Sequence, residues 1–253
     1  FDNKKGMLTD VTDRAGLTHL TGMWSCIAAL GGDDLLLGNG GYNNQFKASV
    51  KEPMTVWVAD WDDNGAIDPL FCYYIQGKSY PMASRDELLD QIVPLRKKFV
   101  HYKDYADARL EDIFPKSKLA EAKVYKCEEM ASGVLHNKGQ ERMGFVALPL
   151  MAQFSKVYGA VVDDFDGDGI PDVLIAGNFF PYRTQLGRCD ASLGLLMKGV
   201  AGGGYQPVDP AVSGLYIGGD VRRLVEIRNP SGEKLLVVAK NDDAVQVLKV
   251  NAK

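Results

Sequence analysis

Short apolar runs broken by glycine, asparagine and aspartate dominate the chain. Thr55-Val56-Trp57-Val58-Ala59 and Tyr158-Gly159-Ala160-Val161-Val162 read as strands, as do Pro69-Leu70-Phe71-Cys72-Tyr73-Tyr74-Ile75 and Val173-Leu174-Ile175-Ala176. Residues 222–227 and 234–239 read as a strand pair joined by an Asn229-Pro230-Ser231-Gly232 turn. One stretch departs from this pattern. Residues 85–119 favour helix, with Ser84 and Glu87 spaced as a capping box and Pro94 placed to divide the first helix. Leu88, Ile92, Leu95 and Phe99 fall on one face of that helical run. The stretch reads as a helical insertion between strands of one sheet, with Arg96-Lys97-Lys98 on its solvated side.

The strand pattern repeats. Glycine punctuates a strand entry at Asn3-Lys4-Lys5-Gly6-Met7, between Asn137-Lys138-Gly139 and Gly144-Phe145, and between Lys198-Gly199 and Gly203-Gly204-Tyr205. Asp33-Asp34-Leu35-Leu36-Leu37-Gly38-Asn39 matches the rhythm of Asp172-Val173-Leu174-Ile175-Ala176-Gly177-Asn178, and Asn241 follows the last strand pair in the same way. Repeated short strands with glycine turns predict an all-β fold. The expectation is a β-propeller, or an arc of one, with about four blade-like units in a single domain over 1–253. The units fall near 1–50, 51–150, 151–208 and 209–253, with the helical insertion at about 85–119.

Two strand-to-strand loops carry the candidate chemistry. Asp60-Trp61-Asp62-Asp63-Asn64-Gly65-Ala66-Ile67-Asp68 and Asp164-Phe165-Asp166-Gly167-Asp168-Gly169-Ile170-Pro171-Asp172 both read D-x-D-x-[DN]-G-x-x-D. Side-chain oxygens stand at positions 1, 3, 5 and 9, which are Asp60, Asp62, Asn64 and Asp68 in one loop and Asp164, Asp166, Asp168 and Asp172 in the other. Position 7 adds a backbone carbonyl, from Ala66 or Ile170. Hard divalent cations take oxygen ligands, and Ca2+ accepts six to eight of them. Magnesium keeps several waters and fits less well. An EF-hand would need flanking helices and a glutamate at position 12. The expectation is two structural Ca2+ sites. The first unit has Ser25, Ile27 and Ala29 where ligands would stand, and the last unit has no acidic loop, so neither is expected to bind metal.

These loops, their flanking strands and Gly177-Asn178 resemble FG-GAP/VCBS repeats, the calcium-binding blades of integrin α-chain propellers and many bacterial envelope proteins. The segments Gly22-Met23-Trp24, Asn43-Asn44-Gln45-Phe46-Lys47-Ala48-Ser49, Gly77-Lys78-Ser79-Tyr80-Pro81 with Arg85-Asp86-Glu87-Leu88, and Gly187-Arg188-Cys189-Asp190-Ala191-Ser192 are similar to Bacteroidetes-type VCBS proteins related to the ASPIC/UnbV group. The resemblance implies an extracellular or cell-envelope location, a longer parent protein and a calcium-stabilised binding or scaffold module. The implied ligand is a protein or a glycan. Trp24, Trp61 and Tyr182 are candidate stacking residues on loops, weighed against packing between blades.

Composition narrows the alternatives. The chain is 46% hydrophobic and 25% charged, with 29 basic against 33 acidic residues and a formal charge of −4. That balance disfavours general nucleic-acid or anionic-membrane binding. Two bound Ca2+ would balance the charge. No apolar run is long enough for a membrane span, and no targeting signal stands at the start of the sequence. Cys26, Cys72, Cys127 and Cys189 form no C-x-x-C pair and read as small hydrophobes. The three histidines, His19, His101 and His136, stand in no catalytic frame. Gly77-Lys78-Ser79 imitates a phosphate-loop ending, but Cys72 replaces its first glycine. A propeller-based lyase or hydrolase and a purely structural assembly segment are the alternatives to a non-catalytic binding module.

Overall fold

The computed structural model describes residues 2–4, 6–139 and 142–251. They are mostly β, with 37% strand against 15% helix, so the expected class holds at that level. Four antiparallel sheets of three or four strands are present, and none closes into a barrel. The chain divides into two compact units. The first comprises Phe1–Thr18, Met23–Asn44 and Met130–Lys253, and the second His19–Gly22 and Gln45–Glu129.

The chain opens with a two-stranded ribbon, β1 (Asp2–Lys4) and β2 (Met7–Thr9). Lys5, in the first glycine-punctuated entry, lies outside the described residues. Then come β3 (Cys26–Gly31) and β4 (Asp34–Gly38), the hairpin of the eroded first unit. The second unit follows, with β5 (Met54–Ala59), β6 (Asp68–Ile75), β7 (Lys78–Pro81), four short α-helices and β8 (Lys123–Cys127). The first unit resumes with β9 (Gly133–Asn137) and β10 (Met143–Ala147), then β11 (Val157–Asp163), β12 (Asp172–Gly177), β13 (Leu195–Gly199) and β14 (Tyr205–Pro207). It ends with β15 (Val221–Arg228), β16 (Lys234–Lys240) and β17 (Gln246–Lys249).

These strands do not group along the four consecutive stretches read from the sequence. In the first unit, β3 and β4 share one sheet with β9 and β10, in the order β10-β9-β4-β3. The stretch 45–129 is therefore inserted between the second and third strands of a single meander. The reason is pairing across a long sequence gap: Leu36 opposes Val134 and Leu35 opposes Leu135, so two hairpins distant in sequence close one sheet. Gly41 N–H donates to Met130 O at 2.8 Å and Asn39 N–H to Ser132 Oγ at 2.9 Å, which ties the strand exit to the strand return.

Within the first unit the sheets stack face to face. Leu30, Leu36 and Val134 of the β3-β4-β9-β10 sheet pack on Val157, Val173, Ile175 and Met197 of the β11–β14 sheet. The opposite face of that second sheet, through Val161, Leu174 and Ala176, packs on Val221, Leu224, Leu236 and Val238 of the β15–β17 sheet. Register shifts at Val157/Gly159 and Val221/Arg223 reset the alternation, so Val157 and Val161 face opposite interfaces while Val221 and Leu224 share one. The first strand of the middle sheet, β11, neighbours the first strands of the other two, β3 and β15. The hairpin at Asn229-Pro230-Ser231-Gly232 forms as expected, with Asn229 N–H on Glu233 O. The glycine-punctuated segments at 137–145 and 198–205 join third to fourth strands, β9 to β10 and β13 to β14, although Gln140 and Glu141 lie outside the described residues.

The repeated Gly-Asn pair after the second strand has a packing cause. A Cβ on Gly177 would stand 1.5 Å from Lys156 O, so only glycine fits. Asn178 is 1% exposed. It accepts from Ser155 Oγ and Ser192 N, and its amide donates to Ser192 O and Gly219 O, all at 2.8–3.0 Å. Asn39 plays the same part after β4, accepting from Met23 N and Gly40 N. One buried amide thus ties several loops that lack regular backbone pairing.

In the second unit the order is β7-β6-β5-β8. The helical insertion connects β7 to β8 at the opposite edge and covers one face of the sheet. Its helices are α1 (Arg85–Gln91), α2 (Tyr102–Tyr105), α3 (Leu110–Ile113) and α4 (Lys116–Glu121). The Ser84–Glu87 capping box is present. The first helix ends at Gln91, and Pro94 lies in a following 3-10 turn, as its missing N–H dictates. Leu88, Ile92 and Phe99 are buried with Trp61, Leu70, Cys72, Leu110, Ile113 and Phe114, and Leu95 packs beside them. Arg96 pairs with Asp90 at an exposed position, while Lys98 reaches Ile113 O at 3.1 Å.

Candidate metal centres

Both acidic loops cap the first hairpin of a sheet, β5–β6 in the second unit and β11–β12 in the first. The hairpins close in the same register: Ala59 opposes Asp68, and Asp163 opposes Asp172. The residue before position 1 therefore faces position 9 in each, which brings the last carboxylate back beside the first. Oxygens of Asp60, Asp62 and Asp68 lie within 4.8 Å of one another, and so do those of Asp164, Asp166 and Asp172. Two sets of three carboxylates are thus placed where each is able to hold a metal ion.

The early loop positions are wired alike. Asp60 Oδ1 and Oδ2 accept from Asn64 N at 3.1 Å and Gly65 N at 2.8 Å. Asp164 Oδ1 accepts from Gly167 N and Asp168 N, and its Oδ2 from Gly169 N at 2.9 Å. Gly65 and Gly169 have φ of +87° and +85°, the left-handed conformation that turns their N–H groups inward. The Gly65 N–H holds the Asp60 carboxyl below the ordinary carboxylate range, with help from Asn64 N–H and the Lys118 charge. Asn64 Oδ1 accepts from Ala66 N at 2.7 Å, and Asp168 Oδ1 from Ile170 N at 2.8 Å. The position-5 side chains therefore brace the turn that carries Ala66 and Ile170, and Asp168 is not one of the converging three.

Position 9 is wired differently. Asp172 is 1% exposed, and both of its oxygens take backbone donors, Gly199 N at 2.9 Å and Phe165 N at 3.0 Å. Asp68 is 7% exposed; its Oδ1 accepts from Gln91 Nε2 at 3.2 Å, but its Oδ2 is buried without a hydrogen-bond donor. Asp62 Oδ1 is likewise buried and unpartnered. Two of the three converging residues of the Asp60 loop thus carry an orphaned carboxylate oxygen. Buried oxygens of this kind need a cation or a donor to offset their desolvation. The residues therefore fit a metal ion.

A lysine attends each loop, and neither was visible in the loop sequence. Lys118, on α4, donates to Asp60 O at 2.9 Å and pairs with Asp63, which is not one of the three. Lys198, at the end of β13, pairs directly with Asp166, which is. The partner carboxylate raises the pKa of each lysine, Asp63 for Lys118 and Asp166 for Lys198. The register Val173–Met197 places Lys198 beside the loop, so its signal in the sequence was the charge directly after the paired strand positions.

No protein-family model, curated protein or solved structure matches the chain. The resemblance to FG-GAP/VCBS repeats therefore rests on the quoted residues alone.

Elsewhere, the remaining candidates pack. Trp61 is buried, stacks on Phe114 at 4.3 Å and donates its indole N–H to Asp68 O at 2.8 Å. Trp24 lies edge-on to Phe145, and Tyr182 edge-on to Phe179. The four cysteines are free thiols, with Cys72 and Cys127 buried. Burial pushes Cys26 up to about 11 and Cys72 to about 12, so both stay protonated and unreactive at neutral pH. In the eroded unit, Asp34 Oδ2 lies 2.7 Å from His136 Nδ1. No helix among the described residues is long and apolar enough to cross a membrane.

Proposed function

We propose that the chain is a calcium-stabilised, non-catalytic binding or scaffold module, its sheets arranged as blades of a propeller arc. The observation that carries this reading is the pair of matched acidic loops, one holding orphaned buried oxygens at Asp62 and Asp68. Oxygen-only donors on a glycine-turned loop suit Ca2+. The face-to-face stacking of three sheets with neighbouring first strands supports the propeller arrangement. Calcium-rich surroundings, outside the cell or at its envelope, are where such sites fill. A protein or glycan ligand would meet the loop ends of the sheets.

The chain's own residues bind and orient rather than react. Asp60 and Asp164 tie each loop to its glycine turn, and Asp68 and Asp172 join the loop to the second strand of its hairpin. A bound cation would add fixed positive charge among these carboxylates and lock both strands of the hairpin together. Binding only to the folded state adds about 2.7 kcal/mol at a hundredfold excess over Kd. Thermal melting in EDTA and in calcium tests this. Tm should fall in EDTA, recover with calcium, and lose part of that recovery in Asp166→Ala. An unchanged Tm in all three would overturn the reading.

A second reading, an assembly segment of a larger propeller, has its own support. Val225, Val237 and Val247 form one cross-strand row on the β15–β17 sheet, opposite the packed face, and Val225 and Val247 are exposed. Concentration-dependent sedimentation separates it from a monomeric binding module.

A further inference from the structure

The two loops look interchangeable in sequence, and the Asp60 loop has one carboxylate fewer at positions 1, 3, 5 and 9 because Asn64 replaces an aspartate. Carboxylate count alone would rank it second. Its wiring reverses that order. In the Asp60 loop two buried oxygens, Asp62 Oδ1 and Asp68 Oδ2, have no donor to give up when a cation enters. Its lysine, Lys118, rests on Asp60 O and on Asp63, which is outside the converging three. In the Asp164 loop both Asp172 oxygens already accept backbone N–H groups, and the Lys198 ammonium sits on Asp166 itself. A cation entering there must share Asp172 and displace, or stand beside, a positive charge.

We propose that the loops fill in sequence, the Asp60 loop first, and that Lys198 sets the lag by acting as a built-in competitor for the cation on Asp166. This rests on the cation-binding reading given above. Lys198 is half exposed, so its ammonium has solvent to swing into when the cation arrives. The second loop is then a sensor of higher cation concentration, and the first a permanent structural site. A unit charge held at ion-pair distance from a divalent cation opposes its binding by about tenfold or more, even with solvent screening.

Terbium titration followed by calorimetry and by luminescence resolves the two sites, because Trp61 lies inside the Asp60 loop while the other loop has Phe165 at that place. Excitation at the red edge of tryptophan absorption should light the first step and leave the second weak. Asp62→Asn should abolish the first step, and Asp166→Asn the second. Lys198→Met should tighten the second step about tenfold and leave the first unmoved, while Lys198→Arg should keep the lag. A second step unmoved in Lys198→Met overturns the competitor role of Lys198, and a first step lost in Asp166→Asn and kept in Asp62→Asn overturns the ordering; neither touches the cation reading. No calorimetric uptake of terbium or calcium by the unmodified chain overturns the cation reading along with it.

Discussion

The Asp60 and Asp164 loops share a frame, a hairpin register and a glycine turn, yet they distribute their hydrogen bonds differently. The Asp164 loop is finished by backbone donors: Phe165 N–H from the loop and Gly199 N–H from β13 satisfy Asp172. The Asp60 loop is finished by side chains, one from the helical insertion and one from the loop itself. Gln91 of α1 reaches Asp68 Oδ1, the Trp61 indole takes the Asp68 carbonyl, and two carboxylate oxygens stay unpaired. Identical spacing of acids therefore does not mean identical demand for a metal. The demand is set by how many backbone donors the neighbouring strands already supply.

The sharpest way to break this comparison is at position 9, in chelator. Asp172→Ala strands two N–H groups and should cost about 2–5 kcal/mol without any metal present. Asp68→Asn should leave chelator stability unchanged or raise it, because it removes an unpaired buried charge, while abolishing the calcium response of its loop. Urea titrations in EDTA measure both; equal losses would erase the distinction.

Position 2 comes next. Trp61→Phe leaves the Asp68 carbonyl without its indole donor and opens space beside Phe114, an expected cost of about 1–3 kcal/mol. Phe165→Leu in the other loop keeps its backbone N–H on Asp172 and should cost less than about 1.5 kcal/mol. Thermal denaturation of the pair at matched calcium compares them.

Position 4 should show a smaller contrast. Gly167 has φ +79° with open space around its Cβ site, so Gly167→Ala carries only backbone strain, about 1–2 kcal/mol. Asp63 holds the same place at φ +59° with a side chain that tolerates the left-handed region, and Asp63→Asn should change stability by less than about 0.5 kcal/mol. Denaturant midpoints at one pH are sufficient.

The smallest effect belongs to neither loop. Lys249, and after it Asn229, hold the Glu233 carboxyl below its ordinary value of 4.5. A lowered folded-state pKa stabilises above the unfolded value and loses that contribution as pH falls through the folded one. Glu233→Gln should therefore flatten slightly the acid limb of the Tm–pH curve in EDTA, without touching the cation response. A changed cation response would mean that the turn at Asn229 communicates with the loops.

The strands around both loops were legible because their signals are local. The alternation in 55–59 and 158–162 and the glycine at position 6 act within a few residues, and β5, β6, β11 and β12 form there. The capping box at Ser84 was legible for the same reason. The pairing of β4 with β9 was not, since nothing near Leu36 announces Val134. Lys118 and Lys198 were missed because a competitor is defined by where its ammonium lands. Only the fold brings α4 and β13 to the loops. In the first unit, Asp34 faces His136, a contact between β4 and β9 that the local sequence does not announce.

The insertion of 45–129 inside the β3-β4-β9-β10 meander also dictates an order of events at synthesis. The β3–β4 hairpin leaves the ribosome early but has no third strand until the whole inserted stretch has followed it. Its edge, carrying Leu35 and Leu37, waits unpaired through that interval. Closing so long a gap is slow, and the waiting edge is a target for wrong partners. Had the insert reached its own hydrophobic core by then, the search would shrink to docking two strands whose ends are already close. The chain's yield in the cell would then be governed by how quickly its middle folds.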